Sequence, residues 1–458
     1  MGCRVARTLG QLGEIAGGAT PSTKKPSYWN GDIPWLSPKD LTNYAFRYIG
    51  HGERSITRSG YDNSSTVLLP AGTVLFSSRA PIGYVAIASN PVCTNQGFKS
   101  VVPYDGTDSL FLYYLLKFNR DRIEGLGSGT TFKEVSATTM RGIEVDVPRT
   151  IDEQRRIASV LDSIDSKIEA NARLNGYLEE LARAMYMSAM QEHADSAALR
   201  DLAEFNPETY SPKENWNAAS YIDTSALMLN NLAGLQHFNL AEEKLPARAR
   251  RKVSNGDILY STVRPNQNHY GLLYGPEPHM LASTAFAVIR PNDTIMSPLV
   301  YLALTDARIT KTLQQLAETS TSTIPSIRPV DLERIAVLVP SDECGNEIAA
   351  QIGTAFKQID CNKRENRKLA TLRDALLPKL MSGEIDVSEV DLTQLNSHLS
   401  KCSSGPCCIL PVMAALSATK WRISTKQSMM RTLASIAVSL RNTADSIEAS
   451  CSVNIRGI

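Results

Sequence analysis

The sequence predicts an α+β fold class, with two similar mixed α/β domains separated by two long helices that pair as an antiparallel coiled coil with pseudo-twofold symmetry. Three observations lead to this prediction. The chain repeats itself once at an interval of about 190 residues. Each repeat alternates short β-branched runs with turn residues. Each then changes to the apolar spacing of a long, paired helix.

The repeat consists of five collinear blocks whose offsets run from 184 to 192 residues. One block is gapless, because residues 131–148 align on 323–340 and share Pro148 with Pro340. The other matches are Leu9, Leu12 and Ile15 with Leu199, Leu202 and Phe205, Gly72–Ser77 with Gly256–Ser261, and Phe98 and Tyr113 with Phe286 and Tyr301. Unrelated α/β segments share single apolar matches, but not a series in the same order. We therefore interpret the chain as an internal duplication.

Within each repeat, strands and turns come first and a strand ending in proline comes last. Strands are predicted at Thr66–Leu69, Thr73–Phe76, Val85–Ala88, Ile143–Pro148 and Ile335–Pro340. A helix is predicted at Ser109–Phe118, with a counterpart at Pro298–Thr305.

A long amphipathic helix is predicted after each closing proline. Thr150 and Glu153 form a capping-box pattern at the first helix start. Apolar residues then alternate at spacings of four and three, at Ile157, Leu161, Ile164, Ile168, Leu178, Leu181 and Met185 and again at Ile348, Ile352, Ala355, Ile359, Leu369, Leu372 and Leu376. Pro378 and Gly383 are expected to end the second helix.

Both seams carry the same polar interruption, at Asn171 and Asn175 in the first and at Asn362 and Asn366 in the second. A seam asparagine lowers stability and is retained where it fixes register and partner. We therefore expect the two helices to pair, with their asparagines meeting near the middle. The alternative is two separate amphipathic helices, each packed on its own domain.

Composition restricts the class of protein. The chain has 458 residues, 48 Lys and Arg against 47 Asp and Glu, and no apolar run long enough to cross a membrane, so a cytoplasmic protein is expected. Near-zero net charge gives little independent support for a nucleic-acid partner. Cys402, Cys407 and Cys408 crowd near the end without a completing histidine or cysteine pair, so no metal site is predicted.

Several motifs resemble the DNA specificity subunits of type I restriction-modification systems. These are Leu12-Gly-Glu-Ile-Ala16, Gly18-Ala-Thr-Pro-Ser22, Tyr28-Trp-Asn-Gly-Asp32 with Ile33–Asp40, Gly72–Arg79, Asn95–Phe98, Ile151-Asp-Glu-Gln-Arg-Arg-Ile157 and Leu376–Ile385. The resemblance covers about residues 8–387. It divides the chain into a first target-recognition domain (1–148), a first spacer helix (149–190), a second target-recognition domain (198–340), a second spacer helix (341–387) and an atypical, poorly ordered tail (388–458).

The resemblance implies a sequence-specific DNA-binding subunit in which each half reads one half of a bipartite, asymmetric target on double-stranded DNA. The helices would set the unread gap and dock methyltransferase subunits. Those modification subunits would bind S-adenosylmethionine and methylate adenine, and restriction and translocase subunits would join them. The second domain lacks the Ile33-Pro-Trp35 block, so its target should differ from the first.

Base reading requires side chains that match base edges, such as Arg for guanine and Asn or Gln for adenine, while Lys, Ser and Thr hold phosphates. The candidates in the first domain are Arg79, Gln96, Lys99, Thr130, Thr131 and Lys133, and those in the second are Arg264, Asn266, Gln267, Asn268, Thr321 and Arg328. The Arg264–Asn268 loop is the strongest candidate. Its alternative is an ordinary turn, in which Asn and Pro are common.

Catalytic motifs are not found. The sequence has no G-x-x-x-x-G-K-[ST] loop and no Pro-Pro dipeptide, which an [ND]-P-P-[YF] methyltransferase motif would need. We therefore expect no enzymatic activity and no cofactor in this chain. The alternative function is a non-catalytic structural adapter whose helices organise partner proteins and whose domains bind a non-DNA ligand. An enzyme with an unfamiliar site would need clustered carboxylates or histidines, and the six histidines are scattered.

Overall fold

The computed structural model describes residues 4–42, 44–79, 81–129, 133–192, 194–320, 324–340 and 342–387. Within these residues the chain forms two compact units. The first comprises 4–172 with 364–387, and the second comprises 173–363. Each unit therefore takes its globular part from one repeat and a segment from each of two long helices.

The first unit is built on a five-stranded sheet in the order β2-β9-β6-β7-β4, beside a three-stranded sheet β5-β3-β8 and a pair β1-β10. Its elements are β1 (Arg4–Thr8), α1 (Leu9–Leu12), β2 (Gly13–Gly17), β3 (Trp29–Leu36), β4 (Tyr48–Ile49), β5 (Arg54–Ile56), α2 (Arg58–Asp62), β6 (Val74–Ser78), β7 (Ile82–Ala88), β8 (Cys93–Thr94), β9 (Lys99–Pro103), α3 (Ser109–Phe118), α4 (Arg120–Gly125), α5 (Ala137–Gly142), β10 (Glu144–Pro148) and the start of α6 (Ile151–Glu192). Short 3-10 turns lie at Pro26–Tyr28 and Pro38–Leu41.

The second unit has two four-stranded sheets, β12-β21-β18-β19 and β16-β13-β20-β17, with the pairs β11-β22 and β14-β15. Its elements are β11 (Ala194–Ala198), α7 (Leu199–Leu202), β12 (Ala203–Phe205), β13 (Ala218–Ile222), β14 (Leu227–Met228), β15 (Asn231–Leu232), β16 (Leu235–Asn239), β17 (Ala249–Lys252), β18 (Ile258–Ser261), β19 (Tyr270–Leu272), β20 (Met280–Ser283), β21 (Phe286–Pro291), α8 (Ser297–Leu304), α9 (Ala307–Glu318), α10 (Pro329–Glu333), β22 (Ala336–Pro340) and the start of α11 (Glu343–Ser382). Short 3-10 turns lie at Thr224–Ala226, Pro265–Gln267 and Thr294–Met296.

The same backbone connections occur in both units. The strands β1 and β10 form a five-residue antiparallel ladder from Arg4 to Thr8, and β11 and β22 form the same ladder from Ala194 to Ala198. The Leu9 N–H donates to the Ile143 carbonyl at 2.9 Å, and the Leu199 N–H donates to the Ile335 carbonyl at 2.9 Å. The predicted duplication is thus visible in the hydrogen bonds.

A left-handed glycine precedes the central strand of each unit. Gly72 has φ +85° before β6, and Gly256 has φ +86° before β18. A Cβ at either position would lie 3.3 or 3.1 Å from the hydroxyl of Ser109 or Ser297, the first residues of the helices α3 and α8. Backbone conformation and close approach therefore both favour glycine here.

The helices α6 and α11 run antiparallel within each unit. In the first unit the Arg373 guanidinium donates to Asp165 Oδ1 at 2.9 Å, and Asn366 Nδ2 donates to the Ile168 carbonyl at 3.1 Å. In the second unit Asn362 Nδ2 donates to Asn175 Oδ1 at 2.7 Å. Residue numbers increase along α6 while the numbers of the contacting residues on α11 decrease, so the two helices are antiparallel. The predicted fold class is confirmed.

The seam asparagines are paired across the helices. Asn171 Nδ2 donates to Asn366 Oδ1 at 2.8 Å and to Glu365 Oε2 at 2.6 Å. Asn362, besides its bond to Asn175, accepts from Gln358 Nε2 at 2.8 Å. Asn171 and Asn362 are each only 4% exposed. These bonds offset the cost of burying an amide in an apolar seam.

A buried ionic network joins the globular part of the first unit to its helix. Arg47, which is 5% exposed, donates from Nε to Glu169 Oε1 at 2.9 Å and from Nη2 to Ser166 Oγ at 2.9 Å, and it also pairs with Asp162. These carboxylates hold the pKa of the Arg47 guanidinium above its ordinary value, although burial alone would lower it. The network fixes the loop before β4 on α6.

Three details of the predicted elements are wrong. Thr66–Leu69 is not a strand, because only Leu69 bridges to Val92 and Pro70 follows without an N–H to donate. Pro378 lies inside α11, which ends at Ser382, because Leu380 and Met381 are buried in the core of the first unit. Leu372 is 43% exposed and so lies off the seam.

Candidate nucleic-acid interface

The first candidate surface lies at one end of the five-stranded sheet. Arg79 directly follows β6, and Lys99 begins β9. Both cations face Glu134, with Lys99 Nζ 3.1 Å from Oε1 and Arg79 Nη1 3.6 Å from Oε2. Arg79 and Lys99 are among the residues predicted from the sequence, and Glu134 is not. The structure brings all three together because Arg79 and Glu134 form an antiparallel bridge.

Backbone bonds fix the segment that carries Glu134. The Ser128 N–H donates to the Glu134 carbonyl at 3.0 Å, and the Glu134 N–H donates back to Ser128 at 2.9 Å. The Val135 N–H then donates to the Ser78 carbonyl at 3.0 Å, which attaches the segment to β6. Lys133 is exposed beside this bridge. Thr130 and Thr131 lie outside the described residues.

Gln96 lies in the turn before β9 and is exposed. Its Oε1 accepts from the Thr20 hydroxyl at 2.6 Å. Its Nε2 group, which carries the N–H donors of the amide, therefore points away from Thr20. The preceding Asn95 instead closes its own turn, because its Oδ1 accepts from the Gly97 N–H at 2.8 Å. Gln96 is the exposed amide of this turn, whereas Asn95 is half-buried, and Thr20 is a neighbour of Gln96 that the sequence did not predict.

The second candidate surface is the loop Arg264–Asn268, which follows β18. Arg264 and Asn268 both have left-handed backbone conformations, with φ +47° and +57°, on either side of the 3-10 turn Pro265–Gln267. Arg264, Asn266 and Gln267 are exposed. Among the described residues, no side chain or carbonyl pairs with the Arg264 guanidinium or with the Gln267 amide.

Neighbouring elements of the second unit fix this loop. The Arg264 N–H donates to the Pro325 carbonyl at 3.0 Å, and the Asn266 N–H donates to Gln314 Oε1 on α9 at 3.2 Å. The Leu229 N–H donates to the Asn268 carbonyl at 3.0 Å. Lys363 of α11 in turn donates to the carbonyl of Asn230. The loop is therefore pre-organised, with the backbone bound and the polar tips exposed.

Arg328 is committed to an internal contact. Its guanidinium donates to both oxygens of Asp331, at 3.3 and 3.1 Å, at the start of α10. This pairing raises the pKa of Arg328 and lowers the pKa of Asp331. Two of the nitrogens of the Arg328 guanidinium are therefore already engaged by a carboxylate. Thr321 lies outside the described residues, as do Cys402, Cys407, Cys408 and the tail from residue 388.

The two surfaces occupy equivalent places in the two units. The Val135 N–H bond to Ser78 in the first unit corresponds to the Ile327 N–H bond to Thr262 at 2.8 Å in the second. The Arg79–Glu134 bridge likewise corresponds to a Val263–Ser326 bridge. One backbone frame thus carries two different sets of side chains.

Two further classes of site were searched for in the described part of the chain. No group of three or more His, Cys, Asp or Glu side chains is arranged to hold a metal ion there. No helix among those residues is long and apolar enough to span a bilayer.

Comparisons with known proteins agree with this architecture. Residues 5–180 match the family model described as the type I restriction modification DNA specificity domain. The chain is 29% identical over 410 residues to the type I restriction enzyme MjaIX specificity subunit of Methanocaldococcus jannaschii, covering 84% of this chain and 94% of that protein. It is 30% identical over 167 residues to the EcoR124I/EcoR124II specificity subunit of Escherichia coli, covering 35% and 40%.

A solved structure is similar in fold. The type I restriction-modification S subunit from M. genitalium superposes with a TM-score of 0.52 at 19% identity, covering 83% of this chain and 96% of that one.

Proposed function

We propose that this chain is a type I restriction-modification DNA specificity subunit, as the match of residues 5–180 to that family model supports, and that it reads a bipartite, asymmetric sequence in double-stranded DNA, one half-site per unit. The single observation that carries the proposal is the repeated frame with unlike side chains. The same bridge holds Arg79 and Glu134 in the first unit and Val263 and Ser326 in the second. The same backbone arrangement in the two units would therefore present different side chains to DNA, as the reading of two unlike half-sites requires.

The chemistry of each surface fits base reading. The first unit offers Arg79, Lys99 and Gln96, and the second offers Arg264, Asn266, Gln267 and Asn268. A guanidinium can bind the O6 and N7 atoms of guanine, and an amide can bind the N6 and N7 atoms of adenine. Thr130, Thr131, Lys133, Thr321 and Arg328 would contribute phosphate contacts around these bases.

The long helices would set the distance between the two half-sites and dock the methyltransferase subunits. The helix α6 has 42 residues and α11 has 40, so each is about 60 Å long at 1.5 Å per residue. This length exceeds one turn of B-DNA, about 34–36 Å. The paired asparagines Asn171–Asn366 and Asn175–Asn362 would fix the register of the helices. Modification subunits would supply S-adenosylmethionine and the methyl transfer, and restriction subunits would supply translocation and cleavage.

The proposal is tested by mapping methylated adenines in the host genome with and without this gene. The expected result is a split motif of two short specified sequences around an unspecified gap, methylated only when the gene is present. Binding to that motif should also weaken steeply with salt. A methylation pattern that does not change on deletion, together with duplex binding that depends on neither sequence nor salt, would instead support the adapter function.

A further inference from the structure

Glu134 is an acidic residue in the middle of a surface proposed to meet a polyanion. Its carboxylate lies 3.1 Å from Lys99 Nζ and 3.6 Å from Arg79 Nη1, and its side chain is 37% exposed. Arg79 is 33% exposed and Lys99 only 14%. Lys99 has one further contact, to the Gln96 carbonyl at 3.4 Å. The carboxylate therefore engages both cations of this surface.

The position of Glu134 is set by the backbone and not by the ion pair alone. The bonds between Ser128 and Glu134 and the bond from Val135 to Ser78 hold the residue beside β6. Replacing the side chain therefore leaves these backbone bonds available. A change at this position should alter charge and contacts more than it alters the fold.

The second unit has no such acid at the equivalent bridge. Ser326 takes the place of Glu134 there, and Val263 takes the place of Arg79. The cation of that surface, Arg264, follows Val263 and has no ion-pair partner among the described residues. The two surfaces thus differ in whether an acidic side chain lies beside their cations.

A carboxylate between two cations discriminates between kinds of DNA contact. Every duplex offers phosphates, whereas only the target offers matched base edges. A phosphate that approaches Arg79 is repelled by the Glu134 carboxylate, which lies 3.6 Å from Nη1. A guanine edge is uncharged and presents two acceptors to one guanidinium, so Arg79 can bind it while the carboxylate still contacts Lys99.

From this geometry, and resting on the proposed DNA recognition, we infer that Glu134 is a specificity-determining residue of the first unit. Its negative charge offsets the positive charges of Arg79 and Lys99 and so weakens their attraction for backbone phosphates. The first unit thereby prefers duplexes that supply base contacts. The second unit gains its selectivity without this acid.

The test compares Glu134→Gln with Glu14→Gln in the full chain assembled with its modification subunits. Glu14 is exposed on β2 in the same unit, so its substitution gives the same change in net charge away from the proposed surface. Two fluorescent duplexes of equal length are used, one with the motif from methylation mapping and one with both half-sites scrambled. Affinity is measured by anisotropy over a series of salt concentrations.

Glu134→Gln should raise affinity for the scrambled duplex on the order of tenfold and steepen its salt dependence by about one to two released ions. Affinity for the target should change several-fold less, so the ratio of target to scrambled binding falls. Glu14→Gln should leave that ratio unchanged. Adding Arg79→Gln to Glu134→Gln should remove most of the gain.

Other results would overturn the inference. An equal rise with Glu134→Gln and Glu14→Gln would mean that only net charge matters. Loss of binding to both duplexes would mean a structural role. If Glu134→Gln lowers the melting temperature, Glu134→Asp provides the second test, because it keeps the charge and should keep the wild-type ratio, and loss of selectivity in that variant would refute the inference. If wild type itself does not prefer the target, the proposed function fails instead.

Discussion

At the scale of single residues, Arg264 is the clearest candidate for reading a base. Its backbone is held by Pro325 while its guanidinium is exposed and unpaired among the described residues. Binding a guanine edge would therefore break no existing ion pair. Arg79 and Arg328 differ, since each already lies beside a carboxylate. Because of this difference, replacing Arg264 should have the most direct effect on DNA affinity.

Arg264→Ala should weaken binding by about 1–3 kcal/mol and relax specificity at one position of one half-site. The reason is that one bidentate contact is lost while the frame of the loop remains. Duplexes with single substitutions in either half-site, measured in competition, would show it. Arg200→Ala, an exposed arginine of the same unit that pairs with Asp201, is the control. Equal loss across both half-sites, or no loss, would contradict the assignment.

The exposure of candidate site residues could be predicted from the sequence where the signal is local. The Arg264–Asn268 loop is a run of polar residues, and its exposure follows from turn-forming Pro and Asn. The contacts of Glu134 were not predictable, because its partners Lys99 and Arg79 lie 35 and 55 residues away along the chain and meet it only through the sheet. The pairing of Arg328 with Asp331, three residues on, was open to local reasoning and was overlooked.

At the scale of elements, α9 supports the second candidate surface. Gln314 on this helix accepts from the Asn266 backbone, so the position of the helix decides the position of the loop. Its first turn is capped by Asp306, whose Oδ1 accepts from the Arg308 N–H at 2.8 Å. The side chain of Arg308 donates to the same oxygen and, with the cap, lowers the pKa of Asp306.

Asp306→Ala should reduce the free energy of unfolding by about 1 kcal/mol near neutral pH. A carboxyl group whose pKa is lower in the folded state stabilises the fold above its unfolded pKa, near 3.8, and this stabilisation is lost as the pH falls through the folded pKa. Wild type and variant should therefore converge in stability below that range. Urea unfolding across pH measures this, with Asp105→Ala in an exposed turn as the control. A gap that persists at low pH would refute it.

The asparagine pairs make a separate prediction for the long helices. Asn171→Leu with Asn362→Leu removes the donors of the Asn171–Asn366 and Asn362–Asn175 bonds and places apolar groups in the seam. The helices should then lose their fixed register, since the polar pairs no longer exclude other alignments. Light scattering and amide hydrogen exchange should show altered association or altered protection along α6. Glu180→Leu, on the exposed face of α6, is the control. Unchanged assembly and unchanged partner docking would contradict a register role.

Element prediction succeeded where the periodic signal was long or strongly capped. The helix predicted at Ser109–Phe118 has those bounds in the structure, because Asp108 caps it and an apolar run fills it. The closing strands begin one residue later than predicted. Thr66–Leu69 failed because β-branched composition cannot show whether a neighbouring strand is present to pair with.

At the scale of the whole molecule, the duplication was evident from sequence, but the division into units was not. The order of the predicted elements along the chain suggests a globular domain followed by its own helix, and then the same arrangement again. The compact units instead divide α6 after residue 172 and α11 after residue 363. The reason is packing: Leu380 and Met381 join the core that contains Ile157 and Leu161. Such long-range burial leaves no local mark in the sequence.

A fragment of residues 1–190 should therefore not behave as an isolated monomer. It lacks the α11 segment that covers its helical seam, but a second copy of α6 carries the same spacing and the same asparagines at an offset of 191. The expected product is a homodimer, detected by light scattering. Excess peptide 343–387 should convert it to a one-to-one complex. A stable monomer that ignores the peptide would contradict the shared-seam interpretation.

The divided first unit also constrains the order of events during synthesis. Its globular part leaves the ribosome early, but residues 364–387 follow only after the intervening 191 residues have been made. At a synthesis rate of about 5–20 residues per second, the α11 residues that pack on Ile157 and Leu161 are made roughly 10–40 s after them. The described residues of the second unit are complete on arrival of Lys363, before those of the first. The unit whose globular part is translated first is therefore the unit whose described residues are completed last, and until then α6 lacks the α11 segment that covers it.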